Sequence, residues 1–382
     1  GTTVIIFVSD FFSNQINGGA ELTGDALVNE SLVPVGQINS QTLSRSPSLL
    51  EKYKNAKWIF GNYTGVDDGL LLEIIKTIKD YSVIEFDYKY CKYRCSHKHI
   101  ATEGNCDCKN TSHAKLVSIF YAKAKNVFWM SEGQKKEYIR LFPHLEKANN
   151  TVLSSTFSKE ALSHIKNLRK GSVSKNNKYV ILGSDSWIKG VPDCIAYAKE
   201  NNLEYEVVQG LSHHEALKKL AESKGLIFLP RGYDTCPRMV VEAKLLGCEL
   251  ILNDNVQHKN EEWFSSDADA VFDYIEKQKA LFFENFLNKR YTDGITESNL
   301  KFHIITPVFN AETYVDKNVK SLKKQNYENF TSTIIDDISL DSTQEVIKSY
   351  VGEDERFNLI INNDKKFALR NIVEAIDSIE PQ

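Results

Sequence analysis

The sequence of 382 residues lacks several features, and each absence excludes a class of protein. No stretch approaches the roughly 18 consecutive apolar residues that a membrane-spanning helix needs, and no signal peptide is recognisable. The net charge is −4, without the strongly basic domain typical of nucleic-acid binding. No G-x-G-x-x-G motif follows the first apolar run, which argues against an NAD-dependent Rossmann enzyme. Nucleic acid is therefore not an expected partner, whereas peripheral contact with a membrane stays open.

Cysteine usage also excludes a disulfide scaffold. The seven cysteines form an odd set with no small secreted domain around them, which indicates a reducing compartment. We expect a cytoplasmic location, with the inner face of the membrane as an alternative. The chain is too long for one typical domain, so two or three domains are expected.

Strand-like and helix-like segments alternate along the chain, which predicts an α/β fold with parallel sheets covered by helices. Residues 158–178 are polar and suggest an interdomain linker. We expect four parts: a Rossmann-like domain at 1–157, a second one at 176–266, a helix at 267–291 that packs back on the first domain, and a partial third α/β domain at 300–382.

Residues 226–252 read as strand, loop, helix and strand, with Pro237 suited to the first helical turn. Asp234 lies at the mouth of that helix, and Glu242 lies inside a mainly apolar one. Parallel α/β sheets bind ligands at the carboxyl ends of their strands, and a helix N-terminus there favours phosphate. The competing interpretations are an N-cap for Asp234 and a buried pair with Lys or Arg for Glu242.

Two weaker signals lie after other strands. Gly18 and Gly19 open a helix, where glycine lets the backbone approach a ligand. Lys189 and Gly190 precede another helix, where a lysine can reach a diphosphate. Taken singly, a turn and a solvated lysine explain them as well. In combination with Asp234 and Glu242, they favour a phosphate-bearing ligand in a cleft between the two domains.

Together, the GGAE run at 18–21, the Lys-Gly pair at 189–190 and the carboxylate-x7-Glu-Ala block at 234–243 resemble the retaining glycosyltransferases of family four. The resemblance covers residues 1 to about 290. It implies a GT-B fold and transfer of a sugar from a nucleotide-diphosphate sugar, with no metal or other cofactor required. It also implies a carbohydrate or lipid-linked acceptor in polysaccharide or glycoconjugate synthesis.

The resemblance assigns roles to residues of this chain. Gly18, Gly19, Lys189 and Gly190 would hold the diphosphate, and Glu242 would hold the ribose. Asp234 would contact the donor sugar, and the backbone from Thr235 to Arg238 would line the pocket.

Three positions depart from the family pattern. Asp234 replaces the usual Glu, and Ser184 follows Gly183 where an Arg is usual, so Arg231 or Arg238 would have to supply that charge. Asp87 stands where many members have His, and an ionised Asp cannot donate a hydrogen bond as imidazole does. Asp234 and Asp87 are the catalytic candidates. The alternative function is a degenerate nucleotide-binding or scaffold module of a longer protein.

The C-terminal segment carries a second resemblance. PVFN at 307–310, Gln325, Asp336, Asp337, Asp341 and the run at 367–371 are similar to the start of family-two glycosyltransferases, which have a GT-A fold. By that resemblance Asp337 would contact the nucleotide base, with Pro307 and Asn310 in the same site. The metal-binding motif of that family normally follows near Gln382. We therefore expect half a GT-A domain, without activity of its own, in a fragment of a longer two-transferase polypeptide.

The loop at 86–113 concentrates cysteine and histidine. Cys91, Cys95, Cys106 and Cys108, with His97 as a substitute for Cys95, offer four zinc-type ligands. The C-x3-C and C-x-C spacings depart from the usual C-x2-C pair. Free thiols, or one adventitious disulfide, in a solvated lid loop are therefore the expectation, and zinc is the alternative. The basic and aromatic residues of the loop would also suit an acidic acceptor or a membrane surface.

Overall fold

The computed structural model describes residues 4–16, 18–31, 33–171, 174–287, 302–325 and 328–378. The chain divides into two compact units, one of residues 5–293 and one of residues 294–382 with the first four residues. Parts of the sequence predictions, at 288–291, 300–301 and 379–382, lie outside the described residues.

The larger unit begins with a parallel sheet whose strands are β1 (Ile5–Ser9), β2 (Val35–Asn39), β3 (Lys57–Phe60), β4 (Asp80–Glu85), β5 (Asn126–Trp129) and β6 (Asn150–Val152). Their order is β2-β1-β3-β4-β5-β6. The helices between and after them are α1 (Gly19–Asn29), α2 (Ser40–Arg45), α3 (Ser48–Lys52), α4 (Asp68–Thr77), α5 (Ser96–Glu103), α6 (Ser112–Lys123), α7 (Glu132–Leu141) and α8 (Lys159–Lys170). Side-chain caps at Asp67, Thr111 and Ser131 satisfy N–H groups at the starts of α4, α6 and α7.

Part of the segment at 158–178, which the sequence predicts to be an interdomain linker, forms the helix α8 between the last strand of the first sheet and the next sheet. Ser158 caps this helix by accepting a hydrogen bond from the Ala161 N–H, and Leu162 and Ile165 are buried on one face. The remaining residues are mostly polar and face outward. A short apolar stripe in a polar segment is enough to fix a helix against a core.

The second parallel sheet consists of β7 (Tyr179–Leu182), β8 (Tyr205–Val208), β9 (Gly225–Phe228) and β10 (Glu249–Leu252), in the order β10-β9-β7-β8. Its helices are α9 (Val191–Glu200), α10 (His213–Glu222) and α11 (Arg238–Leu245), followed by α12 (Glu262–Ser265) and the long α13 (Ala268–Leu287). The two Rossmann-like sheets predicted from the sequence are therefore present.

One hydrophobic core joins the two sheets. It runs from Phe7 and Phe128 in the first sheet to Val180 and Leu226 in the second. Helix α13 contributes Phe282, whose ring lies 4.6 Å from that of Phe128. Because α13 follows the second sheet in sequence but packs on β5, the chain crosses back to its first half.

The smaller unit is a three-stranded parallel sheet of β11 (Phe302–Val308), β12 (Phe330–Asp336) and β13 (Phe357–Ile361), in chain order. Helices α14 (Glu312–Lys323), α15 (Thr343–Val351) and α16 (Phe367–Ser378) alternate with the strands. Val319, Ile334 and Ile347 form its own core. A third α/β segment is therefore present after the two Rossmann-like sheets, as predicted. In the part of the chain that the structure describes, no helix combines the length and apolar character needed to cross a membrane.

Candidate functional site

A cavity of about 520 Å³ lies between the two sheets of the larger unit. Segments that follow the carboxyl ends of β1, β3, β4, β5 and β6 line one wall, and segments after β7 and β9 line the other. This is where parallel α/β sheets place their ligands. The predicted residues in its lining are Gly19, Asp87, Lys189, Asp234, Thr235, Arg238 and Glu242. Gly18, Gly190 and Arg231 are not among the lining residues.

Lys189 and Asp234 form an ion pair in the cavity wall, with Lys189 Nζ 3.2 Å from Asp234 Oδ2. Gly190 sets the position of the lysine, because its φ of +64° is left-handed and a Cβ there would stand 2.1 Å from the Leu229 carbonyl oxygen. Only glycine fits this turn. Gly190 thus acts through the backbone rather than by facing the cavity.

Asp234 is not a helix N-cap, because Pro237 holds that position for α11. Its backbone instead bonds to the loop after β10. The Asp234 N–H donates to Asn255 O at 2.8 Å, and the Gln257 N–H donates to Asp234 O at 3.0 Å. The backbone of Asp234, not its carboxylate, makes these hydrogen bonds, and the carboxylate faces Lys189.

Glu242 is 1% exposed and lies at the floor of the cavity. Its Oε2 lies 2.6 Å from His213 Nε2, and its Oε1 lies 4.0 Å from Arg238 Nε. The hydrogen bond with Glu242 outweighs burial and raises the pKa of His213. The competing interpretation, a buried pair with Lys or Arg, is met by Arg238, while the closer partner is a histidine that it did not foresee.

The Arg238 side chain is 9% exposed and crosses the cleft. Its Nη1 donates to Thr156 O at 2.7 Å, and its guanidinium lies 3.8 Å from the centre of the Phe157 ring. Among the described residues its buried Nε has no hydrogen-bond partner. Burial lowers the pKa of Arg238 despite the nearby Glu242 carboxylate. Arg238 therefore brings to the cavity a cation whose buried Nε–H is unused.

Arg231 does not supply the charge missing at Ser184. Its guanidinium binds Asp193 through Nε at 2.7 Å and Nη2 at 3.1 Å, away from the cavity lining. A bidentate pair of this kind fixes the arginine. Of the two substitutes considered from the sequence, Arg238 alone reaches the site.

Asp87 belongs to an ion-pair group beside the cavity. Arg94 Nε lies 2.6 Å and Lys89 Nζ 3.2 Å from its carboxylate oxygens. Burial would raise the pKa of Asp87, but these two cations outweigh burial and lower it. Asp87 is therefore held as the anion and accepts rather than donates.

Glu85, two residues earlier and fully buried, anchors this group. Its carboxylate forms an ion pair with Lys89 and accepts hydrogen bonds from Tyr121 and, at 2.6 Å, from Tyr138. Burial, followed by the charge of Glu85, raises the pKa values of both tyrosines. The carbonyl oxygens of Glu85 and Asp87 both accept from Gln134 Nε2 at 2.9 Å. The buried carboxylate thus fixes the strand end that presents Asp87.

Two helices begin at the cavity. α1 starts at Gly19 and α11 at Arg238, and neither has a hydrogen bond from a capping side chain within the described ranges. The free N–H groups at such helix starts bind anions. At Gly18, a Cβ would stand 2.3 Å from Glu21 Oε2, so the helix entry is closely packed.

Hydrogen bonds also cross the cleft directly. Thr235 Oγ1 donates to Phe86 O at 2.8 Å, and Ser155 Oγ donates to Cys236 O at 3.0 Å. Tyr88 OH donates to Gln257 Oε1 at 2.7 Å. With the bond from Arg238, these contacts join the two sheets around the cavity.

The loop that supports Asp234 ends in His258, which is completely buried. Its ring packs against Phe264 at 4.4 Å, and within the described structure neither ring nitrogen has a hydrogen-bond partner. Burial lowers the pKa of His258 to about 3. In the unfolded chain the His258 imidazole is protonated as the pH falls below about 6.5. In the folded chain it stays neutral until the pH reaches about 3.

Stability should therefore be present above pH 6.5 and be lost as the pH falls toward 3. When the pH is lowered from 8 to 5, we expect the difference in the pKa of His258 between the folded and unfolded chain to lower the unfolding free energy by about 2 kcal/mol. Urea unfolding of the full chain at both pH values measures it. His258→Leu should reduce the loss, whereas the exposed His144→Leu should not. Equal acid sensitivity of wild type and His258→Leu would contradict the assignment.

In the smaller unit, Asp337 Oδ1 accepts from Asn362 Nδ2 and the Lys366 N–H, both at 2.8 Å, and Oδ2 accepts from the Phe367 N–H at 2.9 Å. Burial alone would raise the pKa of Asp337, but these donors lower it to about 2. Asn310 Oδ1 accepts from the Leu340 N–H at 2.8 Å. Pro307 lies within β11, beside Ile335 of β12. Contact of Asp337 with a nucleotide base stays a prediction.

The cysteine and histidine residues of the loop at 86–113 separate into different environments. Cys91, Cys106 and Cys108 lie together with His99. Cys95 instead faces Gly232, and His97 packs on the Tyr233 ring at 4.6 Å. His113 Nδ1 lies 2.6 Å from Asp68. The zinc set given as the alternative, with Cys95 or His97, is therefore wrong in its fourth member.

Sequence reasoning also missed His213 and Glu85. His213 follows Ser212, which forms a capping box with Glu215 at the start of α10. That S-x-x-E signature predicts a helix start, and a helix start after a strand end would have drawn attention to His213. Glu85 is the one acidic residue in the predicted strand from Ser82 to Phe86, which was a usable signal of a buried ion pair.

The model of Glycosyl transferase family 2 matches residues 303–378. An uncharacterized glycosyltransferase of Haemophilus influenzae is 38% identical over 71 residues, which are 18% of this chain and 28% of that protein. The GalNAc(5)-diNAcBac-PP-undecaprenol beta-1,3-glucosyltransferase of Campylobacter jejuni is 29% identical over 66 residues, 17% of this chain and 21% of that protein. The chain thus spans about a quarter of the length of these relatives.

Among solved structures, Anabaena HepE in complex with UDP and glucose aligns with 76% of this chain and 94% of its own, at 12% identity and a TM-score of 0.44. The lipopolysaccharide outer core galactosyltransferase WaaB aligns at 13% identity, also with a TM-score of 0.44, over 76% of this chain and all of its own. Likenesses of that degree do not carry a functional argument. The family match is independent of them, and it confirms the predicted resemblance of residues 303–378 to family-two glycosyltransferases.

Proposed function

We propose that residues 5–287 transfer a sugar from a nucleotide-diphosphate sugar to an acceptor. The observation that carries the proposal is one cavity that joins Lys189, Asp234 and Glu242 to two uncapped helix starts. The lysine, Arg238 and the helix starts suit a diphosphate. The buried Glu242 suits the hydroxyl groups of a ribose, because its charge makes it a strong acceptor.

In the proposed reaction the bond between the sugar and the diphosphate breaks, and the acceptor oxygen takes the place of the diphosphate. Lys189 would leave Asp234 for the diphosphate and stabilise the charge that develops as it departs. Asp234 would then face the sugar, next to the anionic Asp87. Retention of configuration and independence from a resident metal are carried over from the family-four resemblance. A lipid-linked acceptor agrees with the name of the Campylobacter relative.

Isothermal titration of the full chain with UDP-, GDP- and ADP-sugars tests donor binding. We expect one of the three to bind and Glu242→Gln to weaken that binding about tenfold, because a charged acceptor is lost. Glu249→Gln is a matched control, since Glu249 also accepts one hydrogen bond of 2.6 Å, from Tyr179, but lies outside the cavity lining. A folded chain that binds none of the three donors would disprove the proposal.

A binding module without turnover is the second candidate. The ion pairs of Asp234 and Asp87 favour it, since both catalytic candidates are already engaged by a cationic side chain. Release of the nucleotide diphosphate from a bound donor distinguishes the two. Slow release by wild type that Asp234→Ala abolishes supports transfer. Binding without any release, unchanged by Asp234→Ala, supports the binding module.

A further inference from the structure

The loop between β4 and α6 brings three thiols and one imidazole to a single point. The ligand atoms of Cys91, His99, Cys106 and Cys108 all lie within 4.8 Å of one another. Cys91 Sγ is 3.9 Å from Cys106 Sγ and 3.8 Å from His99 Nδ1, and Cys108 Sγ is 3.4 Å from His99 Nδ1. We propose that these four residues bind one structural zinc ion.

The distances match the edges of a zinc tetrahedron. With Zn–S near 2.3 Å and Zn–N near 2.0–2.1 Å, tetrahedral geometry places two sulfurs about 3.8 Å apart and a sulfur and a nitrogen about 3.6 Å apart. A disulfide requires about 2.05 Å between sulfurs, and all seven cysteines are free thiols. Three thiolates with one imidazole form a usual closed zinc set, with no position left for a substrate.

The second coordination sphere is also in place. His99 Nδ1 faces the thiols, while His99 Nε2 lies 2.8 Å from Glu103 Oε2, one turn further along α5. Histidines that bind a metal usually donate their other N–H to a carboxylate, which fixes the tautomer and the ring orientation. Glu103 is itself held by Lys92 at 2.7 Å and Tyr93 at 3.0 Å.

Helix α5 buries little apolar surface of its own. Of the eight residues of α5, only His99 is buried, so the helix has no apolar face to pack. Gly104, with a φ of +84°, reverses the chain and returns Cys106 and Cys108 toward Cys91. A metal ion bound by these side chains would add its binding free energy to the stability of this short polar segment.

The zinc site also adjoins the sugar-transfer cleft. Arg94 lies three residues after Cys91, with a φ of +56°. Its Nη2 donates to Asn62 Oδ1 at 2.7 Å, and its Nε contacts Asp87 at 2.6 Å. By fixing the chain around Cys91, the metal would fix the arginine that holds Asp87.

Metal content of the full chain, purified under reducing conditions without chelator, tests the site and needs no substrate. We expect about one zinc per chain, a loss of most of it in Cys106→Ala, and retention in Cys95→Ala. Cys95 is the matched control, because it lies in the same loop but faces Gly232. The wild type loaded with Co²⁺ should show the absorption bands of tetrahedral cobalt with thiolate ligands, which decides the matter even if Cys106→Ala does not fold.

Three results would overturn the proposal. One is wild type that takes up neither zinc nor tetrahedral cobalt after reduction. Another is equal metal loss in Cys95→Ala and Cys106→Ala. The third is a mass lowered by one pair of hydrogens, which would indicate a disulfide among these thiols. Since nucleotide binding is measured separately, failure here leaves the proposed transferase function standing, and the reverse also holds.

Discussion

Replacement of Lys189 by methionine is expected to lower the rate of donor cleavage by on the order of a hundredfold, while the chain stays folded. Methionine keeps most of the length of the side chain but removes the charge that would meet the departing diphosphate. A preorganised cation stabilises the charge that develops in the transition state more than the charge already present in the bound donor. The rate should therefore fall more than donor affinity.

Lys219→Met is the control for this change. Lys219 has nearly the same side-chain exposure as Lys189, 41% against 43%, and also pairs with a carboxylate, at 2.9 Å. It lies on α10 outside the cavity lining. Release of nucleotide diphosphate, followed in both variants at saturating donor, gives the comparison. If the rate of release falls by the same factor in both variants, or if it does not fall in Lys189→Met, Lys189 has no role in the reaction.

Glu85→Leu is expected to lower the unfolding free energy by about 3–5 kcal/mol. The substitution strands the Lys89 ammonium, whose side chain is 6% exposed, with Asp87 as its remaining acidic partner. It also removes the acceptor of the buried Tyr121 and Tyr138 hydroxyls. Uncompensated buried charge costs far more than the pair itself contributes.

The double variant Glu85→Leu with Lys89→Met separates these causes. It removes both charges, so it should regain part of the lost stability and leave mainly the cost of the two tyrosine hydroxyls. Glu51→Leu is the surface control, because the Glu51 side chain is 71% exposed beside Lys54, and it should change stability by less than about 0.5 kcal/mol. Chemical denaturation measures all three. A double variant no more stable than Glu85→Leu would contradict the role given to buried charge.

The alternation of elements was predictable because each central strand is a short apolar run. β9 and β5, for example, are buried along their whole length. β2 escaped notice because Ile38 is its one fully buried residue, so no apolar run marks it. α8 escaped for the opposite reason, since its apolar stripe is diluted by lysine and asparagine.

The site was predictable where a residue follows a strand, as Lys189, Asp234 and Asp87 do. It was not predictable where function depends on a distant partner. His213 meets Glu242 across 29 residues of sequence, and Arg231 turns away because Asp193 lies close enough to bind it. A similar reason explains why His99, and not Cys95, lies with Cys91, Cys106 and Cys108. The helix α5 and the turn at Gly104 decide which side chains converge, and the spacing of the cysteines does not.

The hydrogen bonds that cross the cleft have a thermodynamic consequence. Thr235, Ser155, Arg238 and Tyr88 each bond to the opposite half of the larger unit, beneath a core that both sheets share. Neither sheet can melt without breaking these bonds and exposing the common core, so residues 5–287 should unfold cooperatively as a single body. A donor bound mostly to the second sheet would then stabilise the first sheet against unfolding by the same amount, because both sheets unfold in one transition and the binding free energy adds to the free energy of that transition.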